Sequence, residues 1–148
     1  ALQADSEEGI EFFSEDEKDR EVVLAAVRQD GCALEFASEL IRGDREVVLA
    51  AVSCDGRALQ FAADELRGDR DIALIAVKQE GKALRFASKE IRGDRTVVLA
   101  AVEQNARALQ FATEDVLRDR EVVLAAMDRD PSMAQQLAAM ARSSGVWT

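Results

Sequence analysis

The feature that most constrains this chain is an Asp-Arg dipeptide that recurs every 25 residues without slippage. Each copy opens nearly the same apolar run, so that residues 47–52 repeat the pattern of residues 22–27. Self-similarity at a fixed period of this length is the signature of stacked supersecondary units. A single unit cannot bury its apolar face alone and must pack on its neighbours. The repeats begin at Asp19, Asp44, Asp69, Asp94 and Asp119, and we call them units 1 to 5.

The spacing predicts two helices in each unit. In unit 2, Asp44 is placed to cap a first helix, because its carboxylate can accept hydrogen bonds from the first-turn N–H groups. The apolar residues that follow predict a helix sandwiched between neighbouring units. Gly56 is expected to end this helix in the left-handed conformation. A second helix, with Leu59 and Phe61 on its apolar side, is predicted to run on to Gly68 as its C-cap.

Two further expectations concern the second helix. Ser38, Ser88 and Thr113 follow Phe-Ala in three units and can cap a separate short turn, so the helix can be broken there. One phenylalanine per unit is predicted to be buried, and truncation of one of them to alanine to cost about 3 to 5 kcal/mol. These phenylalanines are Phe36, Phe61, Phe86 and Phe111.

The predicted fold class is all-α, a right-handed-type α-solenoid of 25-residue helix-turn-helix repeats with capping units at both ends. The end segments differ from the middle ones, as capping units do, and Pro131 suits the first position of a last helix. The predicted organisation is an acidic, partly disordered leader at 1–8, a degenerate half-repeat at 9–18, the repeat array at 19–130, a capping helix at 131–142 and a tail at 143–148.

The charge distribution disfavours polyanionic partners. The net charge is −10, and residues 1–19 contribute −7 of it through eight acids and one lysine. Such a chain repels nucleic-acid phosphates and anionic membranes, so we expect no nucleic acid among its partners. No apolar run approaches the roughly 18 residues of a membrane span. The sequence shows no export signal, so we expect a soluble protein. Its first residue is not Met, which is compatible with a cytoplasmic protein or with an organellar one from which a targeting segment has been removed.

Catalysis is not expected, and the chain is predicted not to be an enzyme. Histidine and tyrosine are absent, which removes the usual general base and the commonest metal ligand. Cys32 and Cys54 lack metal-ligand spacing, so free thiols and no bound metal or cofactor are predicted. The Asp-Arg pairs recur in identical settings, which indicates a structural role. An enzyme built on Asp, Glu and Arg alone is a weaker alternative.

Function in a repeat protein is most readily encoded at positions that vary between units. Two such positions lie three residues apart on the predicted outer side of the second helix, where several cations could form a basic ladder that binds an acidic or carboxylate-bearing protein segment. The alternative is an ordinary solvated face. The candidate partner-binding face comprises Arg57, Lys82, Arg85, Arg107, Gln60 and Gln110.

The tandem strings Asp-Arg-Glu-Val-Val-Leu-Ala-Ala-Val and Ala-Leu-x-Phe-Ala-Ser resemble the uncharacterised-domain family numbered 4116, over roughly residues 9–130. The resemblance implies tandem helical repeats, found mainly in single-celled eukaryotes, algae among them, and in some intracellular bacteria. No activity is assigned to the family, so the resemblance transfers no functional residue. Unit 4 departs from the pattern with Ala106 and Arg118 in place of glycines.

Two functions are therefore carried forward. The first is a non-enzymatic scaffold or protein-binding module, an accessory subunit of a larger assembly, with an organellar or photosynthetic complex suggested by the algal members of the family. The second is a soluble effector or regulator that recognises a protein partner transiently. Both require a protein partner whose identity the residues do not specify.

Overall fold

The computed structural model describes residues 15–144, with side-chain environments for residues 20–139. Within residues 15–144 the regular elements are all helical and no strand occurs. The same succession of helices returns in each unit, and equivalent helices of neighbouring units pack on one another. The protein is thus an all-α repeat solenoid, as predicted, while the handedness of its superhelix stays a prediction.

Each of units 1 to 4 contains a long α-helix, a 3₁₀ helix and a short α-helix, in that order. In unit 2 these are Arg45–Cys54, Gly56–Phe61 and Asp64–Arg67. The equivalent helices are Glu15–Gln29, Gly31–Phe36 and Glu39–Arg42 in unit 1, Arg70–Gln79, Gly81–Phe86 and Lys89–Arg92 in unit 3, and Arg95–Gln104, Ala106–Phe111 and Glu114–Leu117 in unit 4. Unit 5 contributes Arg120–Arg129, and Met133–Ser144 follows it.

The repeated aspartate caps the long helix as predicted in units 2 to 5. Asp44 accepts hydrogen bonds from the backbone N–H groups of Glu46 and Val47, at 3.0 and 3.3 Å. Side chains of the equivalent aspartates of units 3, 4 and 5 accept in the same way. Unit 1 differs, because its long helix begins at Glu15 and Asp19 therefore lies inside it.

The prediction of one second helix per unit is wrong, although its suggested break is present. The chain forms a 3₁₀ helix, then two extended residues, then a separate one-turn α-helix. Ser38 and Ser88 cap the short helix by accepting from the N–H groups of Ile41 and Ile91, whereas Thr113 makes no such side-chain bond. The 3₁₀ geometry has three residues per turn, so side chains three apart align along one edge.

The prediction that Gly56 ends the long helix in the left-handed conformation is wrong, because Asp55 is the C-cap of that helix, whereas Gly68 is the C-cap of the short helix as predicted. Gly68 has φ −95° and ψ 4°, and Arg118 takes a similar backbone conformation at the equivalent place in unit 4. Gly56 opens the 3₁₀ helix, and a Cβ there would lie less than 3.0 Å from the backbone oxygen of Ala76 in unit 3. The glycine is needed for close contact between units, which no local turn rule reveals.

The core is a continuous apolar seam between two layers. Successive long helices contact one another, and the 3₁₀ helices stack beside them in the same order. Because the long helices are buried on the faces turned to both neighbours, their valines and alanines pack within the seam. Each 3₁₀ helix adds one fully buried leucine to it, at Leu34, Leu59, Leu84 and Leu109.

The prediction that the phenylalanines are buried is wrong. Phe36 is 85% exposed, and its equivalents in units 2 to 4 are only partly buried. In the 3₁₀ helix of unit 2, Leu59 and Ala62 share the core edge, so Phe61 falls outside it. Phe61 lies instead beside Arg42 on the short helix of unit 1. Phe36 has no such neighbour within the described residues.

The last helix begins at Met133, after a turn at Pro131 and Ser132, rather than at Pro131 itself. It packs on the long helix of unit 5, and Met133 and Leu137 are buried there. The predicted acidic leader, most of the predicted half-repeat and the last four residues, including Trp147, lie outside the described residues.

Candidate functional site

The six residues of the candidate partner-binding face lie on successive 3₁₀ helices, and all six are exposed. The 3₁₀ helices of units 2, 3 and 4 contact each other in order, so the structure brings these residues onto one side of the array. We call this side the outer face. It consists of Arg57 and Gln60 in unit 2, Lys82 and Arg85 in unit 3, and Arg107 and Gln110 in unit 4.

Local geometry fixes the backbone of the outer face. The residue before each 3₁₀ helix is extended, and in units 1, 2 and 4 its side chain caps the helix, as when Asp55 accepts from the N–H of Arg57 at 3.0 Å. Glu80 of unit 3 makes no such side-chain bond. Gln60 then donates from Nε2 to the carbonyl oxygen of Arg57 at 3.1 Å. Unit 4 repeats both bonds with Asn105, Arg107 and Gln110. The same pair of hydrogen bonds therefore fixes Arg57 and Gln60 in unit 2 and Arg107 and Gln110 in unit 4.

The outer face is less basic than the sequence suggested, because acidic caps are interleaved with its cations. Arg57 forms an ion pair with Asp55 of its own unit at 2.7 Å. The hydrogen bond from the Arg57 side chain is the main reason that the pKa of Asp55 falls to about 2. The pKa of Asp130 is also lowered, first by hydrogen bonds from Ser132 and to a smaller extent by the charge of Arg107. Arg57 is therefore neutralised in place.

Unit 3 carries cations that are not neutralised in this way. Lys82 is exposed, and Arg85 lies over the ring of Phe86 at 4.8 Å from its centroid. Within residues 20–139, neither side chain forms an ion pair with a carboxylate. Because side chains three residues apart align in a 3₁₀ helix, these two cations share one edge.

Sequence reasoning missed a series of grooves beside the outer face, between the short helices of neighbouring units. Their volumes are about 390, 240 and 500 Å³ in chain order. One arginine per unit lines them, and its Nε is enclosed without a hydrogen-bond partner. The signal in the sequence was the first residue of each short helix, which is an acid in three units and a lysine in one. The arginines are Arg42, Arg67 and Arg92, and the first residues are Glu39, Asp64, Lys89 and Glu114.

The Asp-Arg pairs themselves are occupied in holding units together. Arg20 donates from Nε to Asp44 of the next unit at 2.7 Å, and Arg45 donates to Asp69 at 2.9 Å. Arg70 and Arg95 repeat the contact with the aspartates of units 4 and 5. Each aspartate of units 2 to 5 therefore caps its own helix and binds the arginine of the preceding unit. This double use explains why both residues recur together.

The two cysteines are free thiols, as predicted. Cys32 is half-buried and its Sγ lies 3.6 Å from a carboxylate oxygen of Asp55, while Cys54 is exposed. Burial, with a smaller contribution from the charge of Asp55, raises the pKa of the Cys32 thiol. A raised pKa reduces the fraction of nucleophilic thiolate, so Cys32 is not activated for chemistry.

Two classes of site are absent from the part of the chain that the structure describes. Residues 15–144 contain no group of three or more His, Cys, Asp or Glu side chains that could hold a metal ion. Among the same residues we find no helix that combines the length and the apolar composition needed to cross a bilayer.

Comparison with protein families gives one result. A family model described as a domain of unknown function, DUF4116, matches residues 7–42, 44–92 and 94–137. The chain belongs to the DUF4116 family. The three matches are separated at Gly43 and Gly93, the glycines that precede the Asp-Arg pairs of units 2 and 4. The second DUF4116 match therefore covers units 2 and 3, and the third begins with units 4 and 5. No curated protein and no solved structure matches this DUF4116 chain.

Proposed function

We propose that the protein is a non-enzymatic helical-repeat scaffold that binds other proteins and serves as an accessory subunit of a larger assembly, such as an organellar or photosynthetic complex. One observation carries the proposal. On the 3₁₀ helices of units 2 to 4, the second and fifth residues differ between units and are exposed, whereas the leucine that repeats is fully buried. Leu59, Leu84 and Leu109 are fully buried, while Arg57, Lys82 and Arg107 are exposed.

The repeated residues have structural roles that leave them unavailable for recognition. The aspartates cap helices and bind the preceding unit, and Gly56 permits close contact with unit 3. A residue committed to packing cannot readily vary to suit a partner, so recognition falls to the variable outer face. An extended surface of this kind is the usual binding surface of solenoid proteins.

We propose a non-enzymatic role because aspartate carboxyls of the array are held in their ionised form. Each described aspartate with a shifted pKa has it lowered, so these carboxyls stay ionised rather than acting as general acids near neutral pH. General-base chemistry by histidine is unavailable, because the sequence contains none. These observations favour binding over catalysis.

A transient effector or regulator is the second candidate, and the polarity of the outer face favours it. The face is formed by arginine, lysine and glutamine, without an exposed apolar side chain among its six residues. Permanent complexes bury larger and more apolar surfaces than transient ones. A subunit that is permanently bound through this face would therefore need further contacts from other parts of the chain.

Affinity purification from the native source, followed by gel filtration, tests the proposal and separates the two candidates. A partner that stays bound in a fixed stoichiometry through gel filtration supports the accessory subunit, and a partner lost on dilution supports the transient regulator. A triple variant with Arg57, Lys82 and Arg107 replaced by glutamate should recover less of the partner than the parent. Recovery of no specific protein by the parent chain would reject both candidates.

A further inference from the structure

Unit 3 differs in charge from every other unit at two positions beside the outer face. The fifth residue of the 3₁₀ helix and the first residue of the short helix are acidic or neutral in units 1, 2 and 4. In unit 3 they are Arg85 and Lys89. The formal charges at these two positions sum to −2, −1, +2 and −1 in units 1 to 4. In a chain of net charge −10, this reversal is a local property of unit 3.

The cations of unit 3 form one continuous surface. Lys82 and Arg85 share an edge of the 3₁₀ helix, and Arg85 covers the ring of Phe86. Phe86 in turn lines the 240 Å³ groove together with Lys89 and Arg92. We call Lys82, Arg85, Lys89 and Arg92, with Phe86 between them, the unit 3 patch. It joins the outer face to the groove.

The unit 3 patch has free charge, in contrast to the arginines that pair with aspartates across the junctions between units. Lys82, Arg85 and Lys89 are exposed, and within the described residues none of the four cations forms an ion pair. Arg92 donates only to the backbone carbonyl of Phe111, at 3.5 Å. The acid that lines the same groove, Asp64, is already paired with Arg67. The groove therefore presents uncompensated positive charge beside an aromatic wall.

The surroundings of the patch restrict what it can bind. Lys89 and Arg92 also line the next groove, where Glu114 and Asp115 face them. A nucleic acid carries a phosphate charge every few ångströms, so its backbone would extend from the patch onto these acids. A short segment with a few carboxylates can contact the cations alone, and an apolar side chain of the segment can contact Phe86. The charge pattern favours a short acidic peptide.

We propose that the unit 3 patch is the binding site for an acidic segment of a partner protein that contains an apolar residue between its carboxylates. The proposal rests on the protein-binding function proposed above and locates the recognition in one unit. Lys82 and Arg85 bind carboxylates at the rim, and Lys89 and Arg92 bind them in the groove. Charge complementarity of this kind speeds association and selects the partner.

Fluorescence anisotropy with the intact chain tests this proposal. The probe is a fluorescein-labelled peptide of about twelve residues that contains Glu, Asp and one central Leu. We expect saturable binding that weakens as salt is raised from about 0.05 to 0.3 M, because exposed charges are screened. A peptide with Gln and Asn in place of the acids should not bind. Absence of binding by the acidic peptide would overturn the proposal.

Two variants with the same change in net charge separate the patch from the overall charge. K82E/R85E/K89E reverses the patch, and R28E/R118E/R129E reverses three exposed arginines elsewhere. We expect the patch variant to lose roughly tenfold or more in affinity and the control less than about threefold, since close charge pairs dominate such binding. Equal losses would overturn the proposal. Circular dichroism and melting curves must first show that both variants are folded.

Two further measurements distinguish this proposal from the broader function. If a single-stranded RNA oligonucleotide bound more tightly than the acidic peptide, the assignment to a protein segment would be rejected. If the patch variant recovered the native partner as well as the parent chain did, the scaffold function would stand and the patch would not be its site. Reduced recovery by the patch variant alone would support both.

Discussion

At the scale of single residues, the close approach of neighbouring units limits which side chains fit at the glycine positions. Gly31, Gly56 and Gly81 stand where a Cβ would come within 3.0 Å of a backbone oxygen of the following unit. Gly43 stands between units as well, but a Cβ there would meet its neighbours at 3.5 Å or more. Unit 4 carries Ala106 at the close position, and it is buried. The two kinds of glycine therefore have different reasons to be there.

Replacement of Gly56 by alanine should destabilise the protein, because the added methyl group forces unit 3 away from unit 2. We expect a loss of about 1 to 3 kcal/mol in the free energy of unfolding, as for other insertions into packed seams. Gly43→Ala is the matched control and should be neutral or stabilising by up to about 1 kcal/mol, since it restricts the unfolded chain. Urea denaturation measures both. Equal effects would show that the seam adjusts freely.

The apolar residues of the 3₁₀ helix should contribute very unequally to stability. Leu84 is fully buried, so Leu84→Ala should cost about 2 to 5 kcal/mol. Phe36 is 85% exposed, so Phe36→Ala should change stability by less than about 0.5 kcal/mol. Thermal melting monitored by circular dichroism compares the two. A large loss at Phe36 would show that another segment of the chain covers it.

At the scale of elements, the long helices are joined by arginine–aspartate pairs that cross each junction. Arg45 donates to the side chain of Asp69, which also caps the long helix of unit 3. The arginine is the main cause of the lowered pKa of Asp69, and the backbone bonds of the cap add to it. Helix capping and contact between units therefore depend on the same ionised carboxylate.

Acid should weaken these junctions together. The pKa values of Asp44, Asp69 and Asp119 are lower in the folded protein than the roughly 3.9 of a free aspartate, mainly because of the arginine bonds. The folded state thus binds fewer protons than the unfolded state as pH falls, and acid favours unfolding. We expect a melting temperature that is nearly constant above about pH 5 and declines below about pH 4.

A variant at one junction checks the origin of this pH dependence. Arg45→Ala removes the main partner of Asp69, so the variant should melt at a lower temperature at pH 7 and lose less on acidification. Arg85→Ala is the control, since Arg85 forms no ion pair within the described residues. The same acid slope in the parent and in Arg45→Ala would contradict the role of the junction.

For the molecule as a whole, the array is regular in packing and irregular in charge. Its core repeats with the same leucine in units 1 to 4, while the outer face changes from a neutralised Arg57 to the free cations of unit 3. The repeated seam makes each unit depend on its neighbours for burial. Stability is therefore a property of the array, whereas recognition can be confined to one unit.

Much of the fold could be predicted from the sequence, and the errors have a common origin. The register of the units, the caps at Asp44 and its equivalents and the all-helical class follow from local rules and the period. The second helix was misassigned because Leu59, Phe61 and Ala62 have the spacing of an α-helical face, whereas the 3₁₀ geometry leaves Phe61 outside the core edge. The structure places the six candidate residues on exposed positions of one side of the array, but the sequence did not give the charge of that side, because Asp55 neutralises Arg57 through a side-chain contact.

The sequence by itself determined a tandem array of capped helices with apolar seams, because periodicity and capping depend on residues close together in the chain. Only the tertiary structure decided which glycines approach the next unit closely, where Phe36 lies and which cations are unpaired within the described residues. Those properties depend on atoms about 25 residues apart, brought together by stacking. Sequence patterns encode the stacking but do not give the distances it creates.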